Sequence, residues 1–257
     1  MEISEAKKLW FIASRDLERF INSKYWLAGQ IAMNLADIFI FALVLRGFIR
    51  REFVPDYLQY MTPGAIALAT FVASFSIGRE VGMEVRREIV DYLLTLPVKR
   101  TTLVFGRIFS GMLRGLVYQL PFILIAILLV SLPPINRIPI LLLTSVILTI
   151  TMSSLAIAVS TISRDFNIQA TFRAVTYYLL FFFSNVFYTK KALELRFPQP
   201  LPDLITLTPI SLSADIYRWC FNYYTTLEIS KLFLLMVWGL ILTTLAATIY
   251  LKNLTKR

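Results

Sequence analysis

Apolar runs of ~20 residues recur along this chain, separated by short polar breaks, and no hydrophilic block is long enough for a separate soluble domain. A helix needs ~20 residues to cross ~30 Å of hydrocarbon, and in lipid every backbone amide must be satisfied within the protein. These runs therefore predict an all-α membrane protein. Spans are expected near Tyr25–Gly47, Leu58–Gly78, Leu103–Val130, Ile138–Ile162, Phe172–Tyr188 and Lys231–Leu251, in a single transmembrane domain over residues 1–257. Only 16% of residues are charged, against ~25% in soluble domains.

Six spans put both termini on one side. With the N-terminus inside, the inner segments hold 16 Lys and Arg and the outer ones 9, with Arg114 left within a span. The positive-inside rule then predicts a multi-pass protein of the cell membrane with both termini cytoplasmic. Basic residues facing anionic headgroups account for the net charge of +10, so no nucleic-acid partner is expected. The start MEISEAKK does not read as a cleaved signal peptide.

Chemistry is narrowed by what is missing. One cysteine, Cys220, excludes an intramolecular disulfide, and the lack of histidine removes the commonest general base and metal ligand. No catalytic or metal residues are assigned. No G-x-x-x-x-G-K-[ST] occurs among the nine glycines, so the chain has no phosphate-cradling loop of that kind to bind ATP.

Two polar segments carry helical periodicity. Before the first span, Leu9, Trp10, Ala13, Leu17, Phe20 and Ile21 recur at helical spacing, while Lys7, Lys8, Arg15, Asp16, Glu18 and Arg19 mostly fall elsewhere. This reads as an interfacial amphipathic helix over 1–24, either a plain anchor or a contact for a cytoplasmic partner. Between spans two and three, Val85, Ile89, Tyr92, Leu93 and Leu96 gather on one face of a helix. Glu84, Arg87, Glu88, Asp91 and Thr95 gather on the other. Arg87 with Asp91 and Glu84 with Arg87 are spaced as ion pairs. Pro97 ends the helix, Lys99 and Arg100 follow, and Thr101 or Thr102 can cap the next one. Eleven charges between Arg79 and Arg114 exceed what a plain loop needs.

The run GREVGMEVRREIVDYLLTLPVKRTTLVFGRIFSGMLRG resembles the segment between the second and third spans of ABC-2 type transporter permeases, through Glu80, Gly82, Glu88, Leu93, Leu94, Pro97, Val98, Arg100, Gly106 and Arg107. LTPISLSADIYRWC is similar to that family's outer segment through Thr208, Pro209, Asp215 and Arg218. The resemblance implies a cytoplasmic coupling helix that docks on a separate ABC ATPase subunit, with Glu88, Asp91, Tyr92, Leu93, Leu94, Pro97, Lys99 and Arg100 as its contact positions. It further implies pairing with a second permease, as a homodimer or otherwise, and ATP-Mg bound by the partner subunit with no cofactor on this chain.

Within the bilayer, Asp37 lies mid-span with Gln30 and Asn34 on nearby turns; such a residue either ties the bundle together or lines a path. Arg114 is placed to snorkel to the inner interface, or to meet Glu80 or Asp165. Ser145, Thr149, Ser153, Ala156, Ser160 and Ser163 form a small-residue seam suited to close packing. Pro63 with Gly64, and Pro121, are candidate kinks. Residues 189–230 read as short re-entrant helices in the outer leaflet, with Tyr217, Trp219, Tyr223 and Tyr224 in the aromatic belt.

Three function classes follow. An ABC exporter permease accounts for the charged inner helix and the missing nucleotide loop. An ion-coupled secondary transporter or channel would use Asp37. A membrane-embedded enzyme lacks a recognisable nucleophile and base.

Overall fold

The computed structural model describes residues 4–48, 54–87, 89–95 and 97–255, without the side chains of 37–39, 41–43, 45–48, 90, 91, 94 and 253–255. Among the described residues every regular element is helical. In chain order these are α1 (Glu5–Asn22), α2 (Lys24–Phe48), α3 (Tyr57–Phe75), α4 (Ile77–Arg86), α5 (Ile89–Thr95), α6 (Arg100–Tyr118) and α7 (Leu120–Leu129). A 3₁₀ turn at Ile135–Arg137 leads into α8 (Ile138–Thr161), followed by α9 (Phe166–Phe182), α10 (Lys190–Glu194), α11 (Leu201–Thr206), α12 (Pro209–Cys220) and α13 (Ile229–Thr255).

Four rods among the described residues are long and apolar enough to cross a membrane: Tyr57–Arg86, Arg100–Leu129, Ile135–Thr161 and Ile229–Lys252. The first joins α3 to α4 through Ser76, and the second joins α6 to α7 through Gln119; both joints keep helical dihedrals. The break in the second rod falls at Gln119, just before Pro121, whereas Pro63 is accommodated inside α3.

Of the other two expected spans, the first falls within one helix and the fifth is shifted and short. The helix α2 is continuous over 25 residues, with much of its second half lacking described side chains, including Asp37. The helix α9 is 17 residues, ~26 Å at ~1.5 Å per residue, which is short of ~30 Å of hydrocarbon. Its start lies at Phe166 rather than near Phe172 because Asp165 caps it, accepting a hydrogen bond from the Ile168 amide at 2.9 Å. It stops at Phe182, and the backbone after it turns inward to serve as acceptors for buried side chains.

The rod containing α8 is the hub of the core: Leu148, Met152, Ala156 and Ile157 are fully buried, and so are Ser145, Thr149, Ser153 and Ser160 of the seam. Neighbouring helices approach it through glycine. A Cβ on Gly78 would lie 2.7 Å from the Ala156 carbonyl oxygen, and one on Gly111 would overlap the Ser153 side chain. The seam is therefore a packing surface, where small residues let α4 and α6 come close to α8.

Candidate functional site

One end of the bundle collects α1, the end of α4, α5 and the start of α6, and is rich in basic residues. Here Glu5 and Lys8, in the first turn of α1, grip the turn that follows α5. Lys8 Nζ donates to the Pro97 carbonyl at 2.6 Å and to Glu5 at 2.9 Å, and Thr102 Oγ1 donates to Glu5 at 2.5 Å. Neither Thr101 nor Thr102 caps α6: the helix begins at Arg100 behind Lys99 with no side-chain cap, which places both threonines inside its first turn, and the Thr102 hydroxyl donates to Glu5 instead.

Farther along α1 lies Asp16, fully buried. It accepts hydrogen bonds from Arg107, from Ser110 Oγ at 2.8 Å and from Arg15 Nη2 at 3.1 Å. The second arm of Arg107 donates to Glu84. Two turns beyond Arg107, Arg114 makes a two-pronged contact with Glu80, at 2.6 and 2.7 Å, and also donates to the Asp16 carbonyl at 3.3 Å. Its guanidinium sits 5.3 Å from the centre of the Phe20 ring. The antiparallel run of α4 and α6 explains the order, since Glu84 follows Glu80 while Arg107 precedes Arg114. Burial works against ionisation of Asp16, yet the Arg107 charge and the hydrogen bonds from Ser110 and Arg107 outweigh it and hold the carboxyl below the usual range. Both arginines are almost fully buried, so the carboxylates supply the charge compensation that water cannot.

This network corrects two expectations and, for Arg114, selects the Glu80 contact over the other reading. The helix does not continue from Glu84 through to Leu96: α4 ends at Arg86, Arg87 closes it, and α5 begins at Ile89. Glu84 faces Arg107 in the interior rather than pairing with Arg87 on a wet face, because a buried guanidinium is the stronger claim on it. Arg114 does not snorkel to the interface; it is 1% exposed and held by Glu80.

Of the expected contact positions, Tyr92 is 67% exposed; Ile89, not among them, is 38% exposed, although both fall on the apolar face of α5. Leu93 is half-buried, and Pro97, Lys99 and Arg100 are exposed. Glu88 and the side chains of Asp91 and Leu94 lie outside the described residues. The result is a short helix presenting apolar surface outward, mounted on α1 and the α4–α6 pair.

At the opposite end, Pro209, Asp215 and Arg218 lie on α12, whose side chains are nearly all buried against α3, α8 and α13. Thr208 caps this helix through the Ser211 amide, with Pro209 in its first turn. Arg218 is fully buried. It donates to the carbonyls of Tyr60 (3.0 Å), Asn185 (2.8 Å) and Val186 (3.2 Å) and to Asp215 (2.8 Å), and it lies 3.6 Å from the Tyr60 ring centre. Asp215 also accepts from Asn185 and from Lys231 of α13 at 2.8 Å. This knot is what the irregular backbone after α9 satisfies. Tyr217, expected in an aromatic belt, is instead fully buried and bonded to Ser145 at 2.9 Å. Mid-bundle, Asn34 donates to Tyr118 at 2.6 Å, which ties α2 to α6.

Asp16, Glu84, Glu5 and Lys8 were missed as site residues. For Asp16 the signal was present: at ~100° per residue it lies within ~60° of Ala13 and Phe20, inside the apolar stripe. An acid in that stripe needs a buried cation, hydrogen-bond donors or a proton to offset its burial. The roles of Glu5 and Lys8 had no local signal, because their partners are about ninety residues away.

These features define a polytopic helical membrane protein carrying a surface helix on a buried ion-pair network. The chain matches the family described as ABC-2 type transporter over residues 7–221 and belongs to that family, a membrane component of ABC transporters. No curated protein matches it.

Proposed function

We propose that the chain is the permease subunit of an ABC exporter, with six spans, both termini cytoplasmic, and ATP-Mg bound and hydrolysed in a separate subunit. Two permeases, identical or paired with a second kind, would enclose the path across the cell membrane. The coupling helix is α5 with the turn through Arg100. The observation that carries this reading is the exposed apolar surface of α5, Tyr92 above all, on an element gripped by Lys8 at Pro97. A push on this turn reaches α1 through Lys8 and Glu5, then the two rods through Asp16, Arg107 and Glu84. Buried ion pairs make that linkage stiff, since parting either pair strands a charge away from water.

The test is affinity isolation of the full chain from native membranes, followed by identification of co-purifying proteins. The expected result is an ATPase carrying a phosphate-binding loop, retained by the parent chain and lost with Tyr92→Ala/Leu93→Ala. Equal retention by both chains, or no ATPase with either, would overturn the reading.

A further inference from the structure

Near the basic end a cavity of about 410 Å³ opens between α1, α2, the rod of α3 and α4, α6 and α9. That volume lies within the ~300–1,000 Å³ of small-molecule sites. Its walls divide by chemistry. Phe20, Val72, Phe75, Tyr118 and Tyr177 give an apolar and aromatic side, and Arg79 and Arg173 give two guanidiniums. Among the described residues no acidic side chain lines it. The mouth is exposed: Arg79 and Trp26 both reach the surface, with Arg79 5.8 Å from the Trp26 ring centre, and Tyr178 is 59% exposed at the rim.

The arginines are clustered without a carboxylate partner among the described residues. Arg86, 4.5 Å from the Phe166 ring centre, and Arg79 both repel Arg173. None of the three forms an ion pair or a side-chain hydrogen bond among the described residues. In contrast, Arg107, Arg114 and Arg218, close by or at the other end, are each matched to carboxylates. Two arginines on the cavity wall with a third close to Arg173 are relieved by an anion, and the guanidinium fork fits the oxygens of a phosphate or carboxylate. A small inorganic anion would leave the aromatic wall unused. A zwitterionic headgroup would bring a cation against the arginines.

We infer that this cavity binds an anionic amphiphile, with its headgroup between Arg79 and Arg173 and its apolar body along Phe75 and Tyr177. Anionic phospholipid from the adjacent leaflet and a transported amphiphile of the same chemistry would both fit. The inference does not depend on the transport reading, because binding is measured on this chain with no ATPase present.

The test is native mass spectrometry of the full chain in a non-ionic detergent, titrated with phosphatidylglycerol, phosphatidylcholine or inorganic phosphate. Phosphatidylglycerol is expected to bind at least about tenfold more tightly than phosphatidylcholine, a gap that R79Q/R173Q abolishes and R79K/R173K keeps. Ala174→Phe, which fills the cavity and leaves both arginines, is expected to weaken phosphatidylglycerol to a similar extent. Equal binding of the two lipids, an unchanged preference in R79Q/R173Q, or loss of it in R79K/R173K as well would overturn the site. So would displacement of phosphatidylglycerol by inorganic phosphate, which would leave the tail no role. Where phosphatidylglycerol binds as expected, a bilayer lipid is the source if it co-purifies from native membranes. A mass matching no bilayer lipid identifies a transported amphiphile.

Discussion

Replacing Asp16 with asparagine removes one charge from the interior and little volume. The carboxylate is fully buried and faces Arg107, Ser110 and Arg15. Asparagine can still accept from Ser110, but Arg107 keeps only Glu84 as a counter-charge. Breaking a buried pair by removing one partner costs ~3–5 kcal/mol, and the retained hydrogen bond puts this case near the lower end, ~3 kcal/mol. At ~2–4 °C per kcal/mol for a chain of this size, thermal unfolding in detergent, followed by circular dichroism, should shift down by ~6–12 °C. Arg15→Gln is the control. Its side chain is 41% exposed and its contact with Asp16 is worth ~0–1 kcal/mol, so its unfolding should move by less than ~4 °C. The pH dependence supplies a second reading. Asp16 has a lower pKa folded than unfolded, so its stabilisation is complete above the unfolded value and is lost as pH falls through the folded one. The parent chain should therefore lose its margin over Asp16→Asn as the medium is acidified below the usual carboxylate range. A shift for Asp16→Asn no larger than that for Arg15→Gln, or a margin that does not change with pH, would refute the ion-pair account of how α1 is held.

Gly78→Ala should destabilise by ~1–3 kcal/mol in denaturation, because the new Cβ meets the Ala156 backbone at 2.7 Å and backbone cannot swing aside. Gly29→Ala, with open space around the added atom, should instead stabilise by up to ~1 kcal/mol through helix propensity. Arg218→Gln should cost ~3 kcal/mol or more, seen as loss of a monodisperse folded species, and Arg218→Lys should not rescue it, since an ammonium cannot replace a fork that reaches three carbonyls and a carboxylate. Tyr92→Ala should leave the unfolding temperature within ~2 °C of the parent, as expected for an exposed residue, so any loss of ATPase pairing would report contact rather than folding.

Hydrophobic run length alone specifies the all-helical class and the four membrane-length rods among the described residues, because an apolar run of ~20 residues can satisfy its own amides in lipid only as a helix. The small-residue seam of α8 was readable for the same kind of reason: spacing of three or four residues is a local property of one helix. Pro97 and the amphipathic α5 likewise announce themselves locally. The interior charges do not. Whether Glu84 faces water or Arg107 depends on where α6 lies, and whether Arg114 snorkels or pairs with Glu80 depends on the same antiparallel approach. Asp215 and Arg218 were visible as a motif, yet the partners of Arg218 include carbonyls on the stretch of backbone that follows α9, far away in sequence. Periodicity reports which residues share a face. Only the packed chain decides what that face meets, and for a charge removed from water the identity of that neighbour is most of the energy.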